Sequence, residues 1–146
     1  MKKTILLIVL SLLIALGVGM YFYNKSAPDY AKQSPDFTLT TSEILKNVDS
    51  DTALLTTMRN KLIQVNEATI KSIQIDSAMS VLELTASNSS SAIIAQIDPR
   101  YNESVKTLKA DQTITIKGLL TDFIIDTDLG LGNSVQLNYC TIISSK

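Results

Sequence analysis

Five segments of this chain read as strands, and a short helical pattern stands between the third and the fourth. The strand segments are LIQVNEATIKSIQID (62–76), MSVLELTA (79–86), SAIIAQID (91–98), TITIKGLLTDFII (113–125) and SVQLNYCTII (134–143). They are rich in Ile, Val and Thr, show stretches of period-two alternation, and are separated by short polar connections. Pro99 stops the third strand, and YNESVKTL (101–108) then places Tyr101, Val105 and Leu108 on one side of about two helical turns. Three strands, a helix and two strands is the order of a five-stranded Greek-key barrel of the OB type, in which the helix plugs one end. The expected fold class is therefore mainly β with helices, a five-stranded barrel with a helix between strands three and four.

Gly118 interrupts the fourth strand. Long strands of a small closed barrel must bend, and a glycine inside a strand marks a bend or a bulge, so Gly118 is expected to be structural, with a φ angle that other residues avoid. Ahead of the first strand, Thr40 and Glu43 have the spacing of a capping box, and Leu39 with Ile44 that of a hydrophobic staple. Ile44, Leu45, Val48, Leu55 and Met58 then recur at helical spacing, with Asp49, Ser50 and Asp51 as a candidate break. Residues 24–38, with Pro28 and Pro35 and no apolar period, read as a tether. The divisions that follow are an N-terminal anchor at 1–23, the tether at 24–38, and a barrel with its leading helix at 39–146.

The anchor is the run from Thr4 to Tyr23, twenty residues without a charge. At about 1.5 Å per helical residue it matches a hydrocarbon core of about 30 Å. Lys2 and Lys3 precede it and only Lys25 follows closely, which predicts a single-pass span in the cytoplasmic (inner) membrane with the N-terminus inside and the barrel outside. A cleaved signal peptide is the alternative, with cutting after Gly17 or Gly19, but the apolar run continues to Tyr23, as an anchor requires. No cysteine lies near the end of the run to carry a lipid. Ser11, Ala15 and Gly19 fall four apart on one helix face, a stripe suited to weak self-association.

The chain has no histidine and a single cysteine, Cys140. Zinc sites built on His and Cys and His-based nucleophile systems cannot be assembled from it, and it is expected to be no enzyme and to hold no cofactor. Asp126, Asp128 and Gly130 begin with calcium-loop spacing, but Gly130 and Leu137 stand where the loop needs an oxygen ligand and a glutamate, so no metal is expected. Cys140, in the last strand, reads as a small buried hydrophobe. Residues 26–146 carry ten Lys or Arg against fourteen Asp or Glu, a net charge of -4. Between Met79 and Asp98 there is neither an aromatic residue nor a Lys or Arg, whereas single-strand readers combine a positive groove with stacking rings. Nucleic-acid binding is not expected.

The stretches EATIKSI (67–73), LKADQTITIKG (108–118) and VQLNYCTI (135–142), behind a capped helix and an N-terminal anchor, resemble the tRNA-anticodon-binding-like OB-fold family of small bacterial envelope proteins. The resemblance covers residues 37–143 and brings no catalytic residues with it. Two positions depart from its pattern: Ala68 stands where many such barrels have a strand-one glycine, and Asp111 replaces the usual turn glycine before Gln112. The function expected is a membrane-anchored, non-enzymatic binding module for a protein partner or small ligand. Its face would include Glu83, Arg100, Tyr101, Asp126 and Asp128, with the loops at Ser77 to Ala78 and at Asp126 to Asn133. A structural or assembly role, with the barrel as spacer, is the alternative.

Overall fold

The computed structural model describes residues 11, 13–21, 23, 28–76, 79–86, 89–126 and 132–145. Six strands form one sheet: β1 (Phe37–Thr40), β2 (Leu62–Ile75), β3 (Ser80–Thr85), β4 (Ala92–Ile97), β5 (Thr113–Ile124) and β6 (Ser134–Ser145). Their order is β1-β2-β3-β4-β6-β5, and β2 also pairs with β5, which closes β2 to β6 into a five-stranded barrel. All neighbours in the barrel are antiparallel except β4 and β6, which run parallel. The parallel step follows from the helical plug, which carries the chain across one end before β5 returns.

Alternation in β3 and β4 sends Leu82, Leu84, Ile93, Ala95 and Ile97 inward, where they meet Ile63, Val65, Ile70, Ile116, Leu120, Val135 and Leu137. The leading helical region is two helices, α1 (Thr41–Ser50) and α2 (Ala53–Met58). The capping box is present: Thr40 Oγ1 accepts from Glu43 N at 3.3 Å, and Glu43 Oε2 accepts from Thr40 N at 2.7 Å. Ser50 Oγ donates to Lys46 O at the end of α1, and Asp51 Oδ1 accepts from Ala53 N, restarting the chain as α2. Ile44, Leu45 and Val48 on α1, with Leu55 and Met58 on α2, join the core, each worth roughly 1.5–3 kcal/mol of apolar burial. Leu39 packs partly buried against the same cluster.

The plug is a 3-10 helix, Pro99–Thr107, in place of the two helical turns expected at 101–108. Pro99 opens this helix rather than only stopping β4, because Asp98 caps it and the fixed φ of proline suits a first helical position. Ser104 Oγ and Thr107 Oγ1 donate to carbonyls three residues back, which favours the tighter winding. Val105 is fully buried beneath the plug.

Two further expectations are corrected. First, residues 28–38 are not a free tether. Tyr30–Lys32 forms a 3-10 turn against β5 and β6, and Phe37–Thr40 pairs in parallel with Ile63–Asn66 as β1. Second, Gly118 has no left-handed φ. A Cβ there would overlap Cys140 Sγ and stand 3.3 Å from Asn138 O, so close approach of β6 is what requires glycine. The register between Lys117 and Leu119 is shifted by an extra residue on β6, where Tyr139 takes φ 53°. At Asp111 and Ala68, both singled out in the sequence, the backbone accounts for the residue present. Asp111 adopts φ 65°, the left-handed conformation a turn glycine would take and one that Asp tolerates. Near Ala68 the left-handed residue is Glu67, φ 56°, at a bulge between Val65 and Ala68, so Ala68 itself is an ordinary buried position.

Among the described residues no helix is long and apolar enough to cross a membrane. Residues 13–21 are helical and exposed. Much of the apolar run, residues 4–10 with 12 and 22, lies outside the described residues, so the expected span is a matter of sequence. Ser11, Ala15 and Gly19 are helical and exposed.

Candidate binding face

The outer surface of the barrel divides into a covered part and an open part. On the open part, strand pairing sets side chains in rows across β2, β3, β4, β6 and β5. Ser72 lies opposite Glu83, Glu83 opposite Ile94, Ile94 opposite Gln136 and Gln136 opposite Asp122. A neighbouring row begins with Gln74, Val81 and Gln96. Val81, Glu83, Ile94, Gln96 and Gln136 alternate with buried residues and so point outward. At these positions the face presents aliphatic, amide and carboxylate groups with no ring and no cation, while the exposed ring of Tyr139 on β6 is met by Tyr30.

Among the described residues, Lys71 and Arg59 approach this face at its edges, and carboxylates meet them there. Lys71 Nζ lies 2.7 Å from Glu83 Oε1, and Ser72 Oγ donates to Glu83 Oε2 at 3.0 Å. The Lys71 ammonium, with Ser72 adding to it, holds the Glu83 carboxyl below its usual value against the opposing effect of partial burial. Arg59 Nη2 lies 2.6 Å from Asp122 Oδ1, and its Nε donates to Thr121 O.

The covered part lies under residues 28–40, and Arg100 and Tyr101 belong to it. Arg100 is paired with Asp98 and also donates through Nη2 to Pro28 O at 3.0 Å. Tyr101 OH donates to Asp29 Oδ1 at 2.9 Å. Asp98 is only 4% exposed; Arg100 keeps its carboxyl low, and Asp98 in turn raises the Arg100 guanidinium. Tyr101 lowers Asp29, and Asp29 raises the Tyr101 phenol. The two residues expected on the binding face are therefore clamps for the chain's own N-terminal segment.

Lys117 completes the clamp, and sequence reasoning missed it. Its side chain, 7% exposed, crosses from β5 to donate to Ala31 O at 2.8 Å and Gln33 O at 2.7 Å. A positive group at the end of the 3-10 turn suits the carbonyl dipoles there. Tyr30 stacks on Tyr139 with ring centroids 5.6 Å apart. A lysine inside a strand pattern carries no sign of partners more than eighty residues away.

At the end of the barrel opposite the plug, Asp126 and Asn133 are where the sequence analysis expected part of the face, but the link made by Asp49 has no sign in the sequence. Asp49 Oδ1 accepts from Ser91 Oγ at 2.6 Å and from Asn133 Nδ2 at 2.9 Å, tying α1 to both neighbouring strand connections. A cleft of about 330 Å³ opens beside it, lined among others by Ser42, Lys46, Asp49, Ser89 and Ser90. Gly132, φ 84°, approaches Ser90 O so closely that a Cβ would overlap it. Asp126 N donates to Asn133 Oδ1 at this end of the barrel. Asp128, and the tips of the loops at Ser77 to Ala78 and 127–131, lie outside the described residues. Among the described residues no three metal-ligating side chains converge. Cys140 is fully buried, as expected of a small hydrophobe, and burial pushes its thiol up, away from reactivity.

No family model matches the chain, and no curated protein matches it significantly in sequence. Among solved structures, a Klebsiella pneumoniae protein provisionally described as a nucleic acid-binding lipoprotein is matched over its whole length and 82% of this chain, at 14% identity and a TM-score of 0.57. Parts of two tRNA synthetases give looser matches. The aspartyl enzyme of Entamoeba histolytica is 13% identical, with 83% of this chain on 24% of that one and a TM-score of 0.46. The asparaginyl enzyme of Pyrococcus horikoshii is 13% identical, with 62% of this chain on 21% of that one and a TM-score of 0.42. At such identities the likeness is one of fold, and together with the strand order it makes this chain an OB-like barrel.

Proposed function

We propose that this chain is a membrane-anchored, non-catalytic binding module, held outside the cytoplasmic membrane, whose open β3, β4 and β6 face takes up an uncharged, hydrogen-bonding partner such as a peptide segment. The observation that carries the reading is the asymmetry of the barrel surface. One side is occupied by residues 28–40 of the chain itself, while on the other Gln96, Gln136, Ile94 and Val81 are partly exposed. The uncharged run from Thr4 to Tyr23 and the lysines before it support the anchoring.

The fold neighbour from Klebsiella raises nucleic acid as a second reading. Against it stand the net charge of residues 26–146, the pairing of Lys71 and Arg59 with carboxylates, and the lack of rings at Val81, Glu83, Ile94, Gln96 and Gln136, the exposed Tyr139 of β6 being met by the chain's own Tyr30. A spacer role in an envelope assembly is the alternative, and there the span rather than the face would be essential.

One experiment separates these. Crosslinking in whole cells is compared for the wild-type chain, for a face variant carrying Ile94→Arg and Gln136→Ala, and for a chain whose residues 1–23 are replaced by an unrelated span. Loss of a crosslinked partner in the face variant alone supports the binding module, and loss only on span replacement supports assembly. Micromolar binding of labelled single-stranded oligonucleotides that survives moderate salt would overturn both in favour of nucleic acid.

A further inference from the structure

We propose that the plug end of the barrel rests against the bilayer surface, with Ile75 at the end of β2 and Met79 just before β3 in the headgroup layer. This rests on the reading of residues 4–23 as a membrane span. The orientation comes from where the N-terminal segment is first caught by the barrel. Pro28 O is held by Arg100 and Asp29 by Tyr101, so only residues 24–27 separate the end of the apolar run from the first fixed point. At about 3.3–3.6 Å per extended residue, Pro28 stays within about 18 Å of Tyr23. The catch point is the first turn of the plug helix.

The next plug residue, Asn102, reaches the turn between β2 and β3: its Nδ2 lies 3.5 Å from Asp76 O. Asp76 N donates to Met79 O at 3.3 Å, and the plug packs on β3. Three consecutive residues thus hold both the incoming chain and this turn. On either side of Asp76 the turn exposes two apolar side chains, Ile75 at 55% and Met79 at 39%. Facing water they gain nothing, whereas at a bilayer interface their burial is favourable. A connector of four residues brings that interface to them. The same orientation turns the opposite end, with Asp49, Ser91 and Asn133, away from the membrane; Ile124 and Ile125 are exposed there too, so the orientation is decided by the short connector and not by the apolar pair.

The chain contains no tryptophan, so a single introduced one is an unambiguous reporter. The full-length chain is reconstituted in phosphatidylcholine and phosphatidylglycerol vesicles with brominated acyl chains, carrying Met79→Trp, Ile75→Trp or, at the opposite end on α1, Ser50→Trp. Variants are first matched to wild type by thermal melting, and two independent reporters at the turn guard against one misfolding. The expected result is blue-shifted emission and several-fold stronger quenching for Met79→Trp and Ile75→Trp than for Ser50→Trp. If the chain floats with the vesicles and all three reporters are quenched alike, the orientation is overturned while anchoring stands. If the chain does not float with the vesicles, anchoring and orientation fall together.

Discussion

The two sides of the barrel are built from the same strands yet treat polar groups differently. On the covered side, Lys117, Arg100 and Tyr101 reach across 72 to 86 residues of sequence to hold backbone and carboxylate groups of residues 28–33. On the open side, Glu83 and Asp122 are paired with cations at the edges, while Gln96 and Gln136 face outward among them. Lys117 is buried, and hydrogen bonds from such a charged donor contribute about 1.5–3 kcal/mol each, whereas exposed ion pairs contribute about 0–1 kcal/mol. The covered side is therefore part of what keeps the barrel folded, and the pairs of the open side add little to it.

Removing the central clamp should have the largest effect. Lys117→Met takes the donor from two carbonyls, and a loss of about 3 kcal/mol in urea unfolding is expected, with faster tryptic cleavage after Lys32 in the released segment. If stability and cleavage stay at wild-type levels, the segment is held by something other than Lys117, and the contrast between the two sides weakens. A face substitution such as Gln136→Ala serves as the reference and should shift stability by less than about 0.5 kcal/mol.

Gly118 gives a somewhat smaller expected effect and a sharper diagnosis. Gly118→Ala should cost about 2 kcal/mol, because the new Cβ overlaps the Cys140 thiol in a packed core. Since the obstacle is a side chain, Cys140→Ala in the same chain should recover much of that cost. A double-mutant cycle with a coupling near zero would show that the strain lies in the backbone instead, as a left-handed φ would have produced.

Acid should have the mildest effect. Tyr101, Arg100 and Lys71 hold the carboxyls of Asp29, Asp98 and Glu83 below their usual values. For a carboxyl lowered on folding, the unfolded chain takes up the proton first. Its contribution is present above the unfolded-state value, near 3.8 for the aspartates, and is lost as pH falls through the lower folded-state value. Melting temperature should hold from neutral pH to about pH 5 and decline below about pH 4, with a shallower decline in Tyr101→Phe, which already lacks the bond to Asp29. An acid profile in Tyr101→Phe superimposable on that of wild type would remove Asp29 from the account.

The five strands, the plug between the third and fourth, the capping box at Thr40 and Glu43 and the buried state of Cys140 were all legible in the sequence. Their signals are local: a side-chain period of two, a cap within four residues, an apolar residue inside an apolar run. β1 was not legible, because four residues after a proline-containing stretch carry no period, and only pairing with Ile63 to Asn66 makes them a strand. Gly118 was correctly marked as structural but for the wrong reason. A sequence shows that a Cβ is absent, whereas only the packing shows that Cys140 occupies its place. The candidate face fared least well: Glu83 lies on it, but Arg100 and Tyr101 hold residues 28 and 29 instead. Which polar groups are consumed by the chain itself depends on contacts between residues far apart along it, and those distances exist only once the barrel has closed.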